Sequence, residues 1–170
     1  ILYRSNAQSR VLEEALLRAQ MPYRIYGGQR FFERAEIRNV LSYMRLISHR
    51  DADAAFERVV NTPPRGIGAK SVAEIRVLAR AAGIPMWQAA TRIMAEGLLS
   101  GRARNAIASF LSMIEKLDEQ TAEADLGELV EVVVEASGLK DYHGKEGGER
   151  GQARVENLAE LVTAAKTYDP

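Results

Sequence analysis

Beyond residue 28 the apolar residues recur at intervals of three and four, and one hard interruption divides the pattern. Ile37, Val40, Leu41, Met44 and Ile47 form one stripe, Phe56, Val59 and Val60 a second, and Ile75, Leu78, Ala79 and Ala82 a third. A period of 3.6 places such residues on one face of a helix, so this part of the chain is committed to packed helices. Asp51 and Asp53 stand where a cap would precede the second stripe, and Ser71 to Glu74 has capping-box spacing ahead of the third. Gly83 closes that helix, and Pro85 suits the first turn of a short one carrying Trp87. Ile107, Phe110, Leu111, Ile114 and Leu117 make the cleanest stripe. Leu129, Val130, Val133 and Val134 follow, stopped by Gly138, and Val155, Leu158, Leu161, Val162 and Ala165 make the last helix. The glycine-rich, charged run from Gly144 to Gly151 reads as a mobile surface loop. No strand precedes it, so it is not a phosphate loop.

Before residue 28 the pattern differs. Ile1-Leu2-Tyr3-Arg4 reads as the end of a buried strand, and Asn6 can cap a helix carrying Leu12, Ala15, Leu16 and Ala19. Met21-Pro22 stops that helix, and Tyr23 to Tyr26 alternates like a short strand ending at Gly27-Gly28. Strand, helix, strand is a β-α-β signature. The fold expected is therefore mainly α, a helical bundle behind a short β-α-β segment.

The hard interruption is Thr62-Pro63-Pro64-Arg65-Gly66-Ile67-Gly68-Ala69-Lys70-Ser71. Glycine, apolar residue, glycine between two helices is the core of a helix-hairpin-helix. Two glycines allow a turn too tight for side chains. Amides of the turn and of the next helix's first turn can then converge on a phosphate oxygen, at the positive end of the helix. Arg65 and Lys70 would add charge, and Ile67 would point inward. Contacts of this kind fix position on a nucleic-acid backbone without reading sequence. The same run also serves as a plain interhelical turn, with proline for rigidity and glycine for positive φ.

Charge bears on the choice. The 170 residues carry no net charge, yet residues 1–110 hold 17 Lys or Arg against 9 Asp or Glu, and residues 111–170 hold 6 against 14. Such asymmetry hints at one side facing a polyanion, although helical bundles also scatter charge unevenly. Arg34, Arg38 and Arg45 share one helical face, with Arg24 and Arg30 just upstream. They form either a basic strip beside nucleic acid or a solvated, ion-paired face.

Several functions are excluded. There is no cysteine, hence no disulfide, thiolate metal site or Cys nucleophile, which fits a reducing cytoplasm. The two histidines, His49 and His143, are too few for a His-rich metal site and are expected to be solvated. No apolar run approaches the roughly 20 residues that span a membrane. There is no Gly-x-x-x-x-Gly-Lys-Ser/Thr loop and no paired-carboxylate motif for magnesium. Glu13 and Glu14 are adjacent on a helix and face different ways. No catalytic residue is identified.

Four blocks carry a family resemblance. Ile1-Leu2-Tyr3-Arg4-Ser5-Asn6-Ala7-Gln8-Ser9-Arg10 with Leu12-Glu13-Glu14-x-Leu16 is the first. Pro22-Tyr23-x-x-Tyr26-Gly27-Gly28-x-x-Phe31-Phe32-x-Arg34-x-Glu36-Ile37 is the second. Val59-Val60-Asn61-Thr62-Pro63-Pro64-Arg65-Gly66-Ile67-Gly68 is the third, and Arg154-x-Glu156-Asn157-x-x-Glu160-Leu161 the fourth. In order and spacing they resemble superfamily 1A DNA helicases of the UvrD/Rep/PcrA type, over essentially the whole chain. Arg38-Asn39 departs from the Lys-Asp usual in that family.

The resemblance implies that residues 1–28 are part of the RecA-like motor domain 2A and residues 29–170 the helical 2B subdomain. The parent would be an ATP-dependent 3′-to-5′ helicase using ATP and Mg2+. This chain, without the ATPase motifs, is expected to hold neither and to be inactive alone. The implied duplex-backbone contacts are Arg65, Gly66, Ile67, Gly68, Ala69, Lys70 and Ser71. Asn6 would touch a single strand more weakly, and Arg34 and Arg38 of the basic strip are expected to meet the same strand. The implied partners are double-stranded DNA, single/double-strand junctions, the remaining helicase domains and DNA-repair proteins. The alternative is a docking or autoinhibitory module without DNA binding of its own, using Glu123, Asp125, Glu128 or Glu131. A helix-hairpin-helix repair protein unrelated to helicases leaves the Tyr3–Arg10 block unexplained.

Overall fold

The computed structural model describes residues 1–25, 28–99 and 101–168. A 3-10 turn at Asn6–Gln8 leads into α1 (Ser9–Arg18), and a second at Phe31–Glu33 leads into α2 (Ala35–Ser48). Then come α3 (Asp53–Val59), α4 (Ala69–Ala82), α5 (Met86–Ala95), α6 (Gly101–Thr121), α7 (Leu126–Ala136), α8 (Leu139–Glu146) and α9 (Gly148–Lys166). The expected helical architecture is present.

Local chemistry sets the boundaries. Asp125 caps α7, its Oδ1 accepting the Glu128 amide at 2.8 Å. Gly83, at φ +63°, ends α4 in the left-handed conformation, and the Ile84 amide returns to the Ala79 carbonyl. Asp53 is the first residue of α3 rather than its cap. Its carboxylate accepts the Met86 amide at 2.8 Å, across the bundle at the start of α5.

Helix α2 lies at the centre, against α3, α6, α7 and α9. Its buried face differs from the expected stripe. Tyr43 and Leu46 are fully buried with Ile37 and Val40, whereas Leu41 is exposed. A helix covered by neighbours on several sides needs a wide buried face, and Tyr43 can join it because its hydroxyl is hydrogen-bonded. Phe56 of α3 meets Phe110 of α6 edge to face, ring centres 5.7 Å apart. Side chains of this size contribute about 1.5–3 kcal/mol each when fully buried.

Three expectations are corrected. Residues 1–3 and 21–25 have no regular structure, and no strand forms among the described residues. A strand needs a neighbour to take its amides and carbonyls, and these two runs do not pair with each other. Tyr26 and Gly27, at the end of the second expected strand, lie outside the described residues.

The supposed loop at Gly144–Gly151 is helical except at Gly147; Gly147 and Gly148, with φ values of +67° and +62°, turn α8 into α9. Gly151 then lets the two helices approach: a Cβ there would lie 2.7 Å from the His143 carbonyl oxygen. Gly151→Ala should therefore cost about 1–3 kcal/mol by forcing the helices apart. A urea midpoint equal to that of the unmodified chain would show that they can yield. His143, expected in solvent, is buried on the inner side of α8, its Nδ1 3.1 Å from Glu146 Oε1.

Candidate nucleic-acid interface

The segment between α3 and α4 is organised from within. Asn61 Oδ1 accepts the amides of Arg65 at 2.7 Å and Ile67 at 3.2 Å, closing the turn from its own start. Gly66 takes φ +81°, and Ile67 is buried, anchoring the turn to the core as the sequence suggests. Gly68 is extended and stands as N-cap of α4. The helix thus begins before the expected capping box, and Ser71 lies inside its first turn. No side chain caps α4. The amides of Ala69, Lys70 and Ser71 have no intrahelical acceptor by geometry. Ideal Cβ atoms on Gly66 and Gly68 would have nothing within 4 Å. The turn is therefore open at both glycines.

The two basic residues flanking the turn behave oppositely. The Lys70 side chain is 91% exposed and only 4.0 Å from Glu74. Arg65 is turned inward. Its Nη1 donates to the carbonyls of Pro63 at 3.0 Å and Val59 at 3.3 Å. Its Nη2 donates to Tyr43 Oη at 2.6 Å and the Ser137 carbonyl at 2.8 Å. The guanidinium also lies 5.7 Å from the ring centres of Tyr43 and Phe110. Burial pushes the Tyr43 phenol up to about 12, against the opposing pull of the Arg65 charge. The neutral hydroxyl donates to the Thr62 carbonyl at 2.6 Å. Arg65 fastens the turn to α2 and to the end of α7; its terminal donors point away from solvent.

The expected arginine strip divides in the same way. Arg38 and Arg45 are exposed on α2, and Arg38 faces Arg58, whose guanidinium is held below its ordinary range by burial and by that neighbouring charge. Arg58 is tied to Asn39 Oδ1 at 2.9 Å. Arg34 leaves the strip. It is 6% exposed and donates to the Asn6 carbonyl at 2.6 Å, Asn157 Oδ1 at 3.0 Å and Ser9 Oγ at 2.9 Å. Burial lowers its pKa, countered by Glu13 and Glu36. Asn6 is brought beside it and is itself exposed. Asn61, Tyr43 and Asn157 organise these places without having been singled out for it in the sequence. An asparagine just before Thr-Pro-Pro was the one local signal available, since it suits a side-chain-closed turn.

The start of α4 is thus open and uncapped beside an exposed lysine, an arrangement that suits an anionic oxygen. The curated proteins that the chain resembles are DNA helicases. The chain is 54% identical over 168 residues to DNA helicase II of Escherichia coli (strain K12) and 51% identical to that of Haemophilus influenzae. It is 39% identical over 169 residues to the ATP-dependent DNA helicase PcrA of Bacillus subtilis (strain 168). Each alignment covers 99% of this chain and 23% of the relative, so the chain spans about a quarter of the length of these helicases. The UvrD-like helicase C-terminal domain matches residues 1–170, and the chain belongs to that family.

Proposed function

We propose that this chain is the duplex-contacting, regulatory 2B subdomain of an ATP-dependent 3′-to-5′ DNA helicase. Residues 1–28 would be the edge of RecA-like motor domain 2A, where the strand-like runs at Ile1–Arg4 and Tyr23–Tyr26 would join a sheet. The turn at Gly66-Ile67-Gly68 would then act as a helix-hairpin-helix grip. The observation that carries this is the open start of α4: first-turn amides without a side-chain cap, two glycines with empty space before them, and Lys70 in solvent. A phosphate oxygen is the ligand such amides suit. ATP and Mg2+ would be held elsewhere in the parent. Among the described residues no cluster of three or more His, Asp or Glu is placed to take a metal ion. No described helix is long and apolar enough to cross a membrane.

The grip is tested by duplex binding over a salt series. Gly68 has ordinary φ, so Gly68→Ala should fold normally while placing a methyl where the phosphate would sit. Gly68→Ala should weaken binding, and Lys70→Ala should reduce the salt slope by about 1, the loss of one phosphate contact. Equal affinity and slope in all three proteins would rule out this turn. Weight would then pass to the docking module, for which Glu123 and Glu128 are the better candidates. Asp125 is occupied as a cap, and Glu131 pairs with Lys166 at 2.6 Å.

A further inference from the structure

Asn6, from the family resemblance, and Arg34, from the basic strip, are both expected to meet a single strand, but the geometry gives them different work. Arg34 stands between the Phe31–Glu33 turn and α2, and its side chain crosses to the opposite segment. Nη1 reaches the Asn6 carbonyl and Nη2 the Ser9 hydroxyl, so both bonds fall on one short stretch of the 3-10 turn and the start of α1. The guanidinium is oriented in turn by Asn157 of α9, 2% exposed, whose Oδ1 accepts from Nη1 while its Nδ2 donates to Glu36 Oε1 at 2.6 Å. Ser9 also donates to Glu13 Oε2 at 3.4 Å, and the same oxygen accepts the Phe31 amide at 3.0 Å.

A purely apolar seam would hold these segments close but would let them slide. Directed hydrogen bonds from a planar fork set angle and register. What they fix is the backbone of Asn6, whose side chain is left in solvent with no partner among the described residues.

We infer that Arg34, oriented by Asn157, is a positioning residue that holds Asn6 in register with the helical body for a single DNA strand, and does not itself touch DNA. The inference rests on the reading of Asn6 as a single-strand contact. It assigns Arg34 the opposite surface, inward instead of outward.

The test compares Asn6→Ala, Arg34→Lys and Asn157→Ala in this chain. Each is measured for binding to a fluorescent oligothymidylate and to a duplex, with amide exchange followed through residues 6–10. Arg34→Lys keeps the charge and removes the fork. Asn157→Ala keeps Arg34 and removes its orientation, and serves if Arg34→Lys fails to fold. The expected result is single-strand affinity lowered about tenfold in Asn6→Ala and several-fold in the other two. Exchange at residues 6–10 should rise only in Arg34→Lys and Asn157→Ala, with duplex affinity unchanged in all three. Asn6→Ala weakening single-strand binding while the two seam variants do not would overturn the positioning role and leave Asn6 standing. No effect of Asn6→Ala would remove the Asn6 reading, and the inference with it. Single-strand and duplex affinity falling in parallel in the seam variants would mark a general structural role and also overturn it.

Discussion

Arg65→Ala is expected to destabilise the chain by about 2–4 kcal/mol, because it leaves part-buried carbonyls without a donor and removes a charge-assisted bond to Tyr43. Urea denaturation followed by far-ultraviolet circular dichroism would measure it. Arg65→Lys should recover less than half of the loss. One ammonium cannot reach Pro63, Tyr43 and Ser137 together as the planar fork does. The result separates two roles for a residue at the lip of a candidate DNA grip. A stability change under about 0.5 kcal/mol, the usual range for a surface substitution, with a clear loss of duplex affinity would make Arg65 a phosphate contact and sink the structural role. The inward hydrogen bonds predict the reverse, with any loss of DNA binding following from a loosened turn.

Phe110→Ala should cost about 3–5 kcal/mol, the usual range for removing a buried phenylalanine. Phe110 is fully buried on α6, edge-on to Phe56 and beside the Arg65 guanidinium, so its removal opens a cavity where three elements meet. A double-mutant cycle with Phe56→Ala should give a coupling of about 0.5–1.5 kcal/mol, characteristic of paired aromatic rings. A loss below about 1 kcal/mol in the single variant would mean that the core collapses into the space. It would also show that the turn between α3 and α4 does not depend on that ring for support.

Much of the helical layout was legible because it rests on local periodicity. The stripe from Ile107 to Leu117 is buried at every named position, and Gly83 and Gly138 fall where α4 and α7 have ended. Errors came where a residue's role depends on something far away in sequence. Gly144 to Gly151 is glycine-rich, which locally signals a loop. Nothing local reveals that Gly151 is needed for contact with α8. Leu41 and Tyr43 exchanged places because the face α2 buries is decided by the helices around it. The runs at Ile1–Arg4 and Tyr23–Tyr26 have strand chemistry, but a strand exists only with a neighbour to bond.

The candidate interface divides along the same line. The sequence by itself determined the tight turn: prolines and glycines restrict φ locally, Ile67 is the apolar anchor, and Lys70 stands beside the start of the next helix. It likewise determined the family, since four ordered blocks persist along the chain. Only the tertiary structure decided which arginines face solvent. Arg34, Arg38 and Arg65 are chemically identical in the sequence. Two are drawn inward because acceptors from distant segments, Asn6 and Asn157 for one and Ser137 for the other, converge on their guanidinium groups. A charged side chain goes where its hydrogen bonds can be satisfied, and those partners are assembled only when the chain folds.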